Sequence, residues 1–156
     1  MAALLLCSWV LHLASALATT LGCRLNQAQT AHLSGRLTEL GYGTSRSAGE
    51  ADVIVVNTCA VTREAERKAC QHLRRLRREA PGAFLVVTGC YAELDGGLSE
   101  SGLADLALGN EGKRRFIEAP ERFLPRGDGV QALEPASRRR TRALVRVQEG
   151  CDNRCT

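Results

Sequence analysis

Aromatic residues are scarce in this chain: Phe, Trp and Tyr together make up 4% of its 156 residues. So thin a set excludes a row of aromatic platforms that stack single-stranded bases as the main device. Lysine is nearly missing too, with Lys68 and Lys113 set against 19 arginines and 17 acids. The net charge of +4 is a mild basic bias, compatible with a polyanionic partner without naming one. No Lys, Arg, Asp or Glu occurs from Met1 through Cys23. A secretory signal needs a positive n-region, which is absent, although Ala16-Leu17-Ala18 imitates a cleavage site. A membrane span needs about 20 consecutive apolar residues, and this run turns small and polar at Thr19-Thr20. We read residues 1–13 as an apolar leader or extension, and expect no stable membrane association.

What remains is globular. Hydrophobic residues at 44% and charged residues at 24% allow a buried core and exclude a disordered tail. The length suits one compact domain and little more. Seven cysteines is a high count, yet the number is odd and the spacings are wide and irregular except at the end. An oxidising compartment would pair such thiols, so the reading is a reducing, cytoplasmic setting.

Along the chain, strands and helices alternate. Ala14 to Leu21 reads as a buried first strand. Asn26 and Gln29 have capping-box spacing, and Leu33, Leu37 and Leu40 follow as an apolar face before Gly41. Asp52 to Asn57 is a β-branched run of the kind covered on both faces of a sheet. A helix is expected from Thr62 to Ala80, ending before Pro81-Gly82, with Glu64 and Glu66 in its first turn. A third strand spans Ala83 to Thr88, and a helix of open extent starts near Tyr91. Leu103 to Leu108 gives a weaker strand and Glu111 to Ala119 a short helix. The fold class expected is α/β, an open parallel sheet with flanking helices, doubly wound and flavodoxin- or Rossmann-like. Three of the four prolines fall between residues 120 and 135, and Arg138, Arg139, Arg140 and Arg142 follow, so 120–141 reads as a linker. Ala143 to Val147 then reads as the first strand of a second unit, 142–156, that is cut short.

Cys23, Cys59 and Cys90 each follow a strand, 36 and 31 residues apart, one βα unit each time. In a parallel sheet all C-terminal strand ends share one edge, with neighbours about 4.8 Å apart, and open α/β sheets bind ligands outside that edge. The N-termini of the following helices favour negative charge, hence thiolates. Soft thiolates so placed suit iron–sulfur or zinc. A structural zinc site wants four closed ligands, whereas three thiolates on a four-iron cube leave one iron open. Cys7 and Cys70 read as small buried hydrophobes. Cys151-Asp152-Asn153-Arg154-Cys155 is a C-x3-C after a strand, the start of a C-x3-C-x2-C triad whose third cysteine falls past Thr156.

Four segments carry a family resemblance: Thr20-Leu21-Gly22-Cys23-Arg24-Leu25-Asn26-Gln27, Asn57-Thr58-Cys59-Ala60-Val61-Thr62, Val87-Thr88-Gly89-Cys90-Tyr91-Ala92 and Gln148 to Thr156. Together they resemble the radical SAM methylthiotransferases, most closely the tRNA branch that acts on N6-threonylcarbamoyladenosine beside the anticodon. Gln29 departs from the acid of the family motif, and the leader has no counterpart. The resemblance implies a methylthiotransferase N-terminal domain over 14–119 and a truncated radical SAM core from 142. It implies two [4Fe-4S] clusters. Cys151, Cys155 and a third cysteine would hold the one that binds S-adenosylmethionine and cleaves it to a 5′-deoxyadenosyl radical. Cys23, Cys59 and Cys90 would hold the auxiliary cluster, whose open iron carries the sulfur to be methylated and inserted at C2 of the adenine. The partners implied are the tRNA anticodon loop, an electron donor and a sulfur donor, and the fragment alone is expected to be inactive.

Two other classes compete: a zinc-binding structural domain that adds a fourth ligand such as His32, and a partner-binding α/β module with idle cysteines. On the 62–80 helix, Arg63, Arg67, Arg74 and Arg78 fall within about 60° of one another. They form either a solvated face or a phosphate-contacting one, and Arg138 to Arg142 pose the same choice.

Overall fold

The computed structural model describes residues 14–59, 62–94 and 97–124. The leader, residues 125–141 of the linker, the 142–156 segment and Cys7, Cys151 and Cys155 lie outside the described residues. At the start of the linker stretch, Pro120–Arg122 form a 3-10 turn and Leu124 is buried in the core cluster of Phe116. Nine regular elements follow in order: β1 (Ser15–Leu21), α1 (Arg24–Glu39), β2 (Gly43–Thr44), β3 (Val53–Thr58), α2 (Arg63–Glu79), β4 (Phe84–Gly89), α3 (Cys90–Leu94), β5 (Leu106–Leu108) and α4 (Asn110–Glu118). The five strands form one all-parallel sheet in the order β2-β1-β3-β4-β5. This is the doubly wound α/β arrangement expected, with the strand order reversing between β1 and β3.

The period-2 alternation of the central strands decides which helix covers which face. Ile54, Val56, Leu85 and Val87 point to one side and pack with Ala69, Leu73 and Leu76 of α2 and Tyr91 and Ala92 of α3. Val53, Val55 and Val86 point to the other, against Leu33 and Leu37 of α1 and Phe116 of α4. Continuous β-branched runs are what two covered faces require. Every residue of β3 is buried.

Several features differ from the sequence reading. Asn26 does not cap α1: the helix begins at Arg24, with Cys23 at the N-cap and no side-chain cap bond. Asn26 is instead buried in the first turn, where its amide serves the sheet edge. The first strand is mostly half-buried rather than buried, because the two-residue β2 pairs only with Ser15 and Ala16 and leaves the rest of β1 at an edge. Strand β5 is shorter than 103–108, since Leu103 and Ala104 belong to the preceding turn, where Ala104 N–H donates to Leu98 O at 3.1 Å. The other punctuation behaves as its chemistry predicts. Gly41 ends α1 in a Schellman closure, with Tyr42 N–H donating to Leu37 O at 3.0 Å. Thr62 caps α2 by accepting from Ala65 N–H at 3.1 Å.

Candidate metal centre at the carboxyl edge of the sheet

The register places Leu21, Thr58 and Gly89 side by side at the ends of β1, β3 and β4. Cys23, Cys59 and Cys90 lie two, one and one residues further on. Their backbones therefore share one edge, across two interstrand spacings of about 4.8 Å each. Cys23 is exposed, Cys59 and Cys90 are half-buried, and all three are free thiols. Cys90 opens α3, one residue before the expected start.

Local contacts draw the three turns together. Cys59 N–H donates to Leu21 O at 2.8 Å, which prolongs the β1–β3 ladder up to the second cysteine. A Cβ at Gly22 would stand 2.8 Å from Cys59 Cβ and 2.6 Å from Asn26 Nδ2. Only a residue without a side chain lets the first cysteine turn pass so close to the second. Gly89 has φ +103, and a Cβ there would overlap the Thr58 carbonyl oxygen and lie 2.9 Å from Asn57 Oδ1. The turn into Cys90 thus presses on the end of β3, which a side chain would forbid. The dipeptide Gly-Cys occurs at both flanking strands for this packing reason.

Beneath the edge runs a buried polar network that the sequence reading missed. Asn26 Nδ2 donates to Thr58 O at 3.0 Å, while its Oδ1 faces Cys23 Sγ at 3.7 Å. Asn57 Nδ2 donates to Asn26 O at 3.1 Å and has Thr30 Oγ1 and Gln29 Oε1 at 3.3 and 3.4 Å. Thr20 Oγ1 lies 2.7 Å from Thr30 Oγ1, and Lys113 Nζ, itself buried, donates to Gln29 Oε1 at 3.0 Å. The first and second cysteine turns are thereby tied to each other and to α4. The available signal was Asn57, an amide closing an apolar β-branched run. A buried polar side chain at such a place needs partners.

Among the described residues, no group of three or more His, Cys, Asp and Glu side chains closes on one point as the ligands of a single metal ion would. His32 is exposed on α1, roughly 13 Å along the helix from Cys23, so the four-ligand zinc set with His32 does not come together. A cluster of several irons takes each thiolate on a different iron and so spreads its ligands. Cys23, Cys59 and Cys90, three free thiols on turns pinned by glycine and amide contacts at one edge, are the residues that could hold such a cluster. Cys70 stands apart on α2. It is half-buried, not buried as expected, and lines a groove of about 420 Å³ with Arg63, Glu66, Arg67, Tyr91 and Leu94.

Comparison with known proteins shows the family. Residues 15–109 match the profile described as Uncharacterized protein family UPF0004, and the chain belongs to that family. The matched relatives are tRNA methylthiotransferases. The chain is 32% identical over 151 residues to Threonylcarbamoyladenosine tRNA methylthiotransferase MtaB of Aquifex aeolicus, covering 88% of this chain and 37% of that protein. It is 30% identical over 152 residues to the MtaB of Bacillus subtilis, covering 88% and 34%. It is also 30% identical over 158 residues to tRNA-2-methylthio-N(6)-dimethylallyladenosine synthase of Oceanobacillus iheyensis, covering 88% and 30%. The chain thus spans about a third of the length of the curated relatives it matches.

Proposed function

We propose that this chain is the N-terminal, auxiliary-cluster part of a tRNA methylthiotransferase, which places a methylthio group at C2 of N6-threonylcarbamoyladenosine next to the anticodon. The observation that carries the reading is the placement of Cys23, Cys59 and Cys90 after three adjacent parallel strands at one edge. These residues would hold a [4Fe-4S] cluster, which when bound supplies an open iron for the sulfur to be transferred. The chain's own contribution is to fix the turns. Gly22 and Gly89 permit the close approach, and Asn26 and Asn57 tie the first two together. The wording of the four cysteine segments favours threonylcarbamoyladenosine over dimethylallyladenosine as the substrate base. Cys151 and Cys155 are assigned, with a further cysteine, to a second [4Fe-4S] cluster that binds S-adenosylmethionine in a radical SAM core. The partners are a tRNA anticodon loop, an electron donor and a sulfur donor, in the cytoplasm. Among the described residues no helix is long and apolar enough to cross a membrane.

Anaerobic reconstitution with iron and sulfide tests the reading. The expected product is a brown protein with about four irons per chain at the auxiliary site. Cys23→Ala, Cys59→Ala and Cys90→Ala should each abolish that iron, and Cys70→Ala should retain it. A colourless protein that binds zinc, or iron that survives all three substitutions, would overturn it.

A further inference from the structure

Helix α2 carries seven basic side chains besides His72, and they fall into two groups. Lys68 pairs with Glu64 at 3.0 Å, Arg75 with Glu79 at 2.7 Å and Arg77 with Asp105 at 2.8 Å. Arg63, Arg67, Arg74 and Arg78 are exposed and have no ion pair among the described residues. These four lie within about 60° of one another, in a row roughly 22 Å long. The opposite side of α2 buries Ala69, Leu73 and Leu76. Covering a core would account for the apolar stripe, but not for four like charges left unpaired in line.

The row leads to the cysteine edge. Arg63 is four residues after Cys59, and Arg63 and Arg67 form the wall of the 420 Å³ groove whose other side is α3, the helix that Cys90 opens. Leu94, 67% exposed, is the large hydrophobic side chain left exposed among the described residues, and it lines this groove beside Tyr91. Glu66 also lines it. Its carboxylate repels phosphate but accepts from a ribose hydroxyl or a base amine. Phosphates are thereby directed to the arginine row and a nucleoside to the groove, whose size lies in the range of small-molecule sites.

We infer that the Arg63-Arg67-Arg74-Arg78 face of α2 is the surface on which the tRNA backbone lies, with the α2–α3 groove seating a nucleotide beside the cysteine edge. Charge complementarity argues for a polyphosphate occupant. Guanidinium groups form planar, bidentate contacts with phosphate oxygens, and an exposed Leu beside a Tyr suits the face of a base more than another phosphate. The inference rests on the tRNA reading above and adds where the RNA lies.

Binding of an unmodified anticodon stem-loop transcript, followed by fluorescence anisotropy across a potassium chloride series, tests it. The chain with all four arginines changed to Gln should lose affinity on the order of tenfold or more near 0.1 M salt. Its slope of log K against log salt should be shallower by about 3, from about 0.7 per lost phosphate contact on a single strand. The Lys68→Gln/Arg75→Gln pair should leave both nearly unchanged, and circular dichroism should show the fold intact in each variant. An unaltered slope in the fourfold variant overturns this surface and leaves the tRNA reading standing. No RNA affinity in the unsubstituted chain at any salt also overturns this surface, while the tRNA methylthiotransferase reading stands or falls on the iron test above. Poly-glutamate that binds as tightly as the transcript, and is lost on the same substitutions, reassigns the face to an acidic protein.

Discussion

Asn26 shows how much one side chain does at this edge. It is 4% exposed, its amide nitrogen donates to the Thr58 carbonyl, and its amide oxygen accepts from the Cys23 thiol at 3.7 Å. Removing the amide takes this donor from the buried Thr58 carbonyl, at a cost of about 1–3 kcal/mol. Asn26→Ala should therefore lower the unfolding free energy by about that amount, read as a fall in the urea midpoint, and also weaken iron retention, because the first and second cysteine turns lose the Asn26–Thr58 link. If the midpoint falls but iron uptake is unchanged, Asn26 is structural only. Gly89→Ala makes a sharper case. Its φ of +103 and the nearby Thr58 carbonyl leave no room for a methyl group, so a loss of about 1–3 kcal/mol or more is expected, again read by urea unfolding. Gly35→Ala is the control, since a Cβ there meets nothing within 4 Å.

Among the elements, β5 is short and is held to β4 by Asp105 as much as by its own ladder. Asp105 Oδ2 accepts from Leu85 N–H at 2.7 Å and from Arg77 at 2.8 Å, which locks α2, β4 and β5 together. Desolvation alone would raise the Asp105 carboxyl, but the Leu85 hydrogen bond and Arg77 outweigh it and hold the group below its ordinary value of 3.8. A carboxylate lowered in the folded state stabilises the fold above its unfolded value, and that contribution is lost as pH falls through the lower folded one. The difference in urea midpoint between the unsubstituted chain and Asp105→Asn should be largest near neutral pH and shrink below about pH 4. A difference that stays constant down to the acid limit would show that the carboxylate charge is not what matters. Because the side chain is partly exposed, solvent screening keeps the effect modest.

At the scale of the molecule, the proposed centre ties together β1, β3 and β4, and β3 and β4 contribute to the core on both faces of the sheet. A ligand that binds only the folded edge stabilises the whole domain through linkage. Reconstituted protein should unfold at a higher temperature than the apoprotein, and anaerobic chelation of the iron should return the midpoint to the apo value. The three Cys→Ala variants should show no iron-dependent rise. A rise of equal size in those variants would place the iron elsewhere.

The alternating pattern of β-branched runs and capped helices is a local property, so the α/β class, the parallel sheet and the recurrence of a cysteine after each of three strands could be read from the chain alone. Val53 to Val56 and Leu85 to Val87 could be nothing but strands covered on both sides, because their apolar residues leave no wet face. The parallel topology then obliged the three cysteine turns to meet at one edge. What the residues could not reveal was who touches whom. Asn26 and Gln29 have the spacing of a helix cap, and only the approach of β3 turned them into partners of Thr58 and Asn57. The two-residue β2, the five-residue α3 and the groove beside it likewise depend on packing between distant segments. Local propensity writes the elements and their order. Contacts between residues far apart in the chain decide which polar groups are buried together, and so how the edge is held in place.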